Sequence, residues 1–396
     1  MNTRLNMLLV FMAAFVTLSS PMRADTGTCG GQSITLPFTD VPAANVFFCS
    51  IAEAFFAGLT NGTTSTTYSP PANVTREQMA AFVTRTMDQS LKRGSSRASL
   101  NQYWTTQGAN NLALTTVGTL PRSCQSDGAD VWVANVGSND VSRIRASDGK
   151  LLETWTGATA AFGVLCAMGK VFVTGSSSPG KLYQIDPTQP AGAVTTLSSA
   201  LSNSPVGIAY DGQRIWTANF SGSVSIVTLN PTSVTNVSTG FNIPFGIIYD
   251  GSNIWVTDDV SAFVDKLYKL DSTGAILQSV DVGSSPRYPA FDGTNIWVPN
   301  QGSNSVTVVR ATGGLSGTVL ATLSGNGLNF PQQAAFDGER IMVTNQFGNS
   351  VSLWKASDLT PLGTFSTGAN TEPFRACSDG RNFWITLQDS NKLARF

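Results

Sequence analysis

Arg122 and Arg287 each stand five residues ahead of an Asp-Gly pair, and Arg375 stands four ahead of another. Guanidinium groups that converge on one place suit a carboxylate or sulfate ligand, because each presents a planar fork of N–H donors. The Asp-Gly pairs open a recurring phrase. In Asp250-Gly251…Trp255…Asp258 a tryptophan follows the Asp by five residues, and an Asp or Asn follows the tryptophan by three. Asn219, Asn300 and Asn345 occupy the last position in other copies, and Asn135 in the first. Turn formation is the ordinary role of such residues, through local hydrogen bonds and left-handed backbone. The candidate ligand set is therefore Arg122, Arg287 and Arg375, with Asn219, Asp258, Asn300 and Asn345 as weaker members.

The chain contains no His. Ser-His-Asp and Cys-His hydrolysis are excluded, along with the commonest nitrogen ligand for transition metals. Carboxylate chemistry and oxygen-ligated metals survive that cut. Charged residues make up 12% of the sequence and the net charge is −1, against about 25% charged in an ordinary soluble protein. Such a surface carries no electrostatic footprint for nucleic acid or an anionic membrane.

The elements that position these residues repeat along the chain. Asp-Gly occurs at Asp127, Asp211, Asp250, Asp292, Asp337 and Asp379, with gaps of 84, 39, 42, 45 and 42. A degenerate copy at Met168-Gly169 fills the double gap, giving seven units. The fourth unit parses into four strands at 245–249, 254–257, 266–271 and 276–282, rich in Ile, Val, Trp and Tyr and bounded by Gly, Asn, Asp and Ser. Four strands per repeat of this length predict a β-propeller blade. The seventh unit ends at Phe396 after three strands. Residues 112–118, L-A-L-T-T-V-G, read like the outer strands of other units and are expected to close the last blade.

In each blade the Asp-Gly joins the first and second strands, at one end of the ring. The Asn or Asp after the second strand shares the other end with the start of the first. V-A-N (133–135), T-A-N (217–219) and V-T-N (343–345), each before a Ser/Gly-rich turn, resemble YVTN/NHL-like propeller repeats over residues 112–396. The repeat type is also similar to streptogramin lyases, whose implied catalytic His has no counterpart here. Gluconolactonase-type propellers would imply a channel metal held by Glu, Asn and Asp. Glu153, Glu339 and Glu372 are the glutamates of the repeats, and none is expected to start an inner strand or sit beside the Asn positions. No metal and no cofactor are expected.

The chain opens with a secretory leader pattern over 1–24: Arg4, an apolar run from Met7 to Leu18, and Ala24 as the cleavage position. No later stretch is apolar enough to span a membrane. Cys29 and Cys49 are the candidate disulfide of the N-terminal segment. Cys124, Cys166 and Cys377 fall in the repeats, where Cys124 is expected on the opposite blade face from the other two. It should look toward either one, as a thiol packed like a small hydrophobe or as a disulfide.

F-T-D-V (38–41), G-L-T-N-G (58–62), Y-S-P (68–70) and V-T-R (74–76) follow the order of an S-layer homology module, which they resemble over residues 38–90. Thr75 and Gln78 read as a capping box at the start of a helix, with Met79, Phe82, Val83 and Met87 on one face. The resemblance implies that Arg76, beside Thr75, contacts acidic cell-wall glycan. The free N–H groups of a helix start make an anion site physically reasonable.

The expected organisation is a leader (1–24), an N-terminal segment (25–37), a small α-helical S-layer-homology-like domain (38–90), a linker (91–111) and a seven-bladed β-propeller (112–396). The fold class is mainly β. The expected function is that of an exported, non-enzymatic protein of the cell envelope or extracellular space. Its N-terminal module would attach to a wall or surface polysaccharide, and its propeller would present a face to a protein or small anionic ligand. The alternative is an extracellular propeller enzyme of lyase or lactonase type, disfavoured by the missing His.

Overall fold

The computed structural model describes residues 26–29, 31–56, 58–94, 112–260 and 265–396. The leader and residues 95–111 of the expected linker lie outside the described residues. Two compact units adjoin in sequence at Gly94 and Ser95.

The larger unit is a seven-bladed β-propeller, built of seven four-stranded antiparallel sheets. The fourth blade shows the pattern: strands Pro244–Tyr249, Ile254–Asp258, Asp265–Leu270 and Ile276–Val282 run outward from the axis. The innermost strands are Pro121–Ser126, Ala161–Ala167, Pro205–Tyr210, Pro244–Tyr249, Ala290–Phe291, Pro331–Phe336 and Pro373–Ser378. Inner strands of neighbouring blades pack side by side around the ring, the seventh against the first.

Closure uses the strand before the first blade. Ala113–Thr116 pairs with Lys392–Arg395 from Ala113↔Arg395 to Thr116↔Lys392, completing the seventh sheet. Thr115 Oγ1 also donates to the Gly149 carbonyl of blade 1 at 2.5 Å. An edge that would otherwise expose unpaired backbone groups is thereby covered.

The recurring phrase is a set of fasteners. In five blades the Asp Oδ1 accepts backbone N–H groups of its turn, while Oδ2 accepts the indole N–H of the Trp five residues on. All five indoles are fully buried between blades. Met342 replaces the Trp in blade 6, and there Asp337 takes the Arg340 guanidinium instead. The Thr of V-T-N and its equivalents accepts an inner-strand N–H of its own blade. In blades 4 and 6 it also donates to a carbonyl of the next blade, Thr257 to Arg287 and Thr344 to Phe374. Six blades have a register shift in the inner strand, such as Pro244/Ile247 and Pro373/Ala376, and these bonds accompany it in blades 2, 4, 6 and 7. A bulge leaves backbone groups unpaired, and the buried Thr supplies their partner.

The smaller unit holds a hairpin of β1 (Thr26–Cys29) and β2 (Gln32–Thr35), then α1 (Phe48–Phe56) and α2 (Arg76–Gly94). A Cys29–Cys49 disulfide ties the hairpin to α1. Leu36, Phe38, Val41, Phe48, Ile51 and Ala52 form its core. Asp40 accepts the backbone N–H groups of Tyr68 and Ser69 at 2.8 and 2.7 Å, which pins the Tyr-Ser-Pro turn to the Phe-Thr-Asp-Val segment. At the head of α2, Gln78 N–H donates to Thr75 Oγ1 at 3.2 Å and Thr75 N–H to Gln78 Oε1 at 2.9 Å, the reciprocal pair of a capping box. The helix runs on to Gly94, past the domain limit expected at 90. Met79, Val83 and Met87 share a face, but each is more than half exposed.

Candidate functional site in the central channel

The channel is walled by inner strands, so its chemistry depends on what the inner-strand bulges aim at the axis. Arg122 and Arg287 sit near the strand starts, at the end of the ring that carries the Asn positions. The Arg122 guanidinium lies 4.5 Å from the centroid of the Phe374 ring and 5.7 Å from that of Phe162. Its Nη1 donates to Gln388 Oε1 at 2.5 Å. Arg287 stacks 3.7 Å from the Phe245 centroid and donates through Nε to Gln301 Oε1 at 2.9 Å, with Nη2 on the same oxygen. Burial lowers the pKa of both guanidinium groups, and for Arg122 the neighbouring Arg375 adds to the effect. Arg122 Nε and Arg287 Nη1 are buried without a hydrogen-bond partner.

The glutamines that receive these arginines have a sequence signal that the Arg spacing alone does not reveal. Gln301, Gln346 and Gln388 each follow the last residue of a second strand, directly after Asn300, Asn345 and Leu387. Gln388 passes the contact on, its Nε2 donating to Glu372 Oε2 at 2.6 Å, where Gln346 Nε2 also donates at 2.8 Å. Gln332 Nε2 in turn donates to Gln346 Oε1. Glu372 does not begin an inner strand, as expected, but its carboxylate meets Gln346, the residue after Asn345, closer to an Asn position than the sequence reading placed it. The cause is the turn ahead of Pro373, where Glu372 adopts a left-handed backbone with φ 44°. Its carboxylate is occupied by two amides. Among the described residues, no group of His, Cys, Asp and Glu is arranged to hold a metal.

Arg375 is not at the mouth with the other two. It is 5% exposed and reaches across the axis. Nη1 donates to Ser123 Oγ of blade 1 at 3.3 Å, and Nη2 to the Val206 carbonyl of blade 3 at 2.7 Å. Its guanidinium lies 3.4 Å from the centroid of Tyr288 in blade 5. With the Phe162 ring of blade 2 at 5.3 Å as well, a side chain from blade 7 meets four other blades and bars the channel. Close approach of the inner strands helps: a β-carbon on Gly207 would stand 2.5 Å from the Phe245 carbonyl oxygen, and one on Gly246 2.3 Å from Pro289.

The amide and carboxylate candidates are placed elsewhere. Asn219, Asp258, Asn300 and Asn345 are fully buried, and none presents a polar atom to the mouth. Asn300 Nδ2 donates to Ser305 Oγ and Thr307 Oγ1 of the third strand, and Asn219 and Asn345 make equivalent pairs. Asp258 accepts the backbone N–H groups of Asn242 and Ile243 at 2.8 and 2.6 Å. Burial pushes its pKa up to about 6, reinforced by Asp259 and Asp265. The rim residues shape the turns, and the arginines with their aromatic rings form the mouth.

The repeat cysteines are free thiols. Cys124 looks toward the seventh blade: its Sγ contacts the Trp384 carbonyl at 3.4 Å, and it shares a core cluster with Cys377. Cys166 lies against the Gln125 carbonyl of blade 1.

No protein-family model matches the chain, and no curated protein matches it. Solved structures do resemble it. A streptogramin B lyase structure aligns at TM-score 0.59 and 15% identity over 73% of this chain and 99% of that one. Hydrazine synthase from Kuenenia stuttgartiensis aligns at 0.59 and 16% over 74% and 99%. The WD40 β-propeller domain of Doa1 aligns at 0.59 and 12% over 74% and 97%. Likeness at this level of identity concerns the fold alone.

Proposed function

We propose that this chain is an exported, non-enzymatic binding protein of the cell envelope, whose propeller takes a small anionic ligand at the Arg122–Arg287 mouth. The observation that carries this reading is the state of those two guanidinium groups. Both are desolvated, both lie against aromatic rings, and each keeps a buried N–H without a partner. Among the described residues neither forms an ion pair with a carboxylate. Asp389 and Glu372 act on Arg122, and Asp259 and Asp265 on Arg287, without forming ion pairs. Desolvated cations so incompletely compensated cost stability unless an anion completes the balance. Glu372 is joined to Arg122 only through Gln388, two hydrogen bonds away.

The N-terminal unit supplies the attachment in this proposal. The S-layer homology resemblance supports it, with Thr75 ordering the start of α2 and Arg76 exposed beside it. The expected partner is an acidic wall or surface polysaccharide.

Calorimetric titration with inorganic sulfate and with benzoate tests the mouth. Arg122→Ala and Arg287→Ala should each weaken binding at least about 10-fold, the loss of one charge-assisted contact. Unchanged affinity in both variants removes the site. Co-sedimentation with purified cell-wall sacculi tests the attachment, which fails if wild type and Arg76→Ala stay equally in the supernatant.

A further inference from the structure

Arg375 divides the channel, and the side away from the mouth is a separate cavity of about 580 Å³. That is within the size range of small-molecule sites, roughly 300–1,000 Å³. Inner strands of all seven blades line it, from the level of Arg375 to the Asp-Gly end. Arg375 is its only charged lining residue, so the cation has no counter-charge within the cavity.

Two lining side chains carry buried polar atoms with no partner: Arg375 Nε, a donor, and Gln333 Oε1, an acceptor. Arg375 and Gln333 each stand four residues before their unit's Asp, in the adjacent seventh and sixth blades. They therefore lie at one level of the channel, yet they do not bond each other. Arg375 cannot swing away to find a partner, because Ser123, the Val206 carbonyl and the Tyr288 ring fix its plane. Ile208, Ile248, Phe291 and Phe336, each half-buried, supply the apolar part of the wall.

We infer that this cavity is a binding site for a small 2-hydroxycarboxylate with an apolar or aromatic body. The carboxylate oxygen accepts from Arg375, the neighbouring hydroxyl donates to Gln333 Oε1, and the body lies along the aliphatic and aromatic wall. One molecule then satisfies the unpaired donor, the unpaired acceptor and the uncompensated cation together. A plain carboxylate would leave Gln333 unsatisfied, and a plain alcohol would leave the cation unsatisfied. The inference does not depend on the mouth reading, which concerns Arg122 and Arg287 on the other side of Arg375.

Three probes separate these terms on the full chain by calorimetry: mandelate, phenylacetate lacking the hydroxyl, and 1-phenylethane-1,2-diol lacking the carboxylate. Mandelate should bind at least about 10-fold more tightly than either comparator, since a site built around a hydroxyl discriminates strongly against its absence. Gln333→Leu should bring mandelate down to the phenylacetate level. Arg375→Gln should abolish the preference for both acids over the diol. Because Arg375→Gln removes a brace between blades, a second blocking variant, Ser378→Trp, fills the cavity without touching the arginine and should abolish mandelate binding. Equal affinity for all three probes, no binding at millimolar mandelate, or an unchanged mandelate preference in Gln333→Leu overturns the assignment. Gln333→Leu leaves the arginines titrated with sulfate intact, so the two sites fail or stand separately.

Discussion

The indole Nε1–H of Trp297 donates to Oδ2 of Asp292, five residues earlier, at 2.7 Å. The same carboxylate holds the backbone N–H groups of Thr294 and Asn295 through Oδ1. Turn and inter-blade packing are thereby fixed by one side chain. Trp297→Phe keeps most of the buried ring and removes only the donor. It should destabilise the propeller by about 1.5–3 kcal/mol, the cost of a lost hydrogen bond to a charged acceptor. Chemical denaturation of wild type and variant measures this, and identical midpoints would show that the tryptophan acts by packing alone.

Closure of the ring by Ala113–Thr116 leads to a second expectation. A chain starting at Gly118 lacks that strand and leaves Lys392–Arg395 as an open edge. Loss of order 2–3 kcal/mol should lower Tm by about 5–10 °C and promote concentration-dependent association through the bare edge. Calorimetry and gel filtration report the two effects, and an unchanged Tm would show that the seventh blade is stable with three strands.

Asp258 predicts an unusual pH response. Its folded pKa is raised to about 6 by burial, above the roughly 3.9 of an unfolded aspartate. The native state therefore binds this proton more tightly than the unfolded chain. The resulting cost is fully present above pH 6 and is relieved as pH falls toward 4, the reverse of a salt-bridged carboxylate. Relative to Asp258→Asn, wild type should gain of order 1–2 kcal/mol between pH 7 and pH 4.5. Parallel denaturation curves at the two pH values check the sign. A wild type that loses ground to the variant on acidification would place the folded pKa below the unfolded one.

The repeat thiols should be unreactive in the native state. Burial pushes the Cys166 and Cys377 thiols well above their usual range, so little thiolate exists at pH 8. Iodoacetamide should leave Cys124, Cys166 and Cys377 largely unmodified until denaturant is added, when mass spectrometry should find all of them alkylated. Rapid native labelling of Cys166 would show that the cavity wall opens.

The architecture was legible because Asp-Gly, Trp and Thr-Asn each perform one repeated task, so their spacing copies the geometry of a blade. Even the degenerate Met168-Gly169 turn kept its place between Ala161–Ala167 and Lys170–Gly175. The channel was less legible. Counting back from the Asp put Arg375 near Arg122 and Arg287, yet inner-strand bulges such as Pro373/Ala376 break simple alternation. A one-residue offset there turns a side chain from the mouth to the axis. Gln388 carries no local signal for a related reason: it meets Arg122 across the closure between the last blade and the first, 266 residues apart.

Closure also has a mechanical side. Force applied through the chain ahead of Leu112 enters the propeller at Ala113–Thr116, before any other blade is loaded. It is borne first by the short ladder from Ala113↔Arg395 to Thr116↔Lys392. Under tension the ring would part at that seam, leaving the inner strands and the Arg375 brace assembled while a single outer strand peels away.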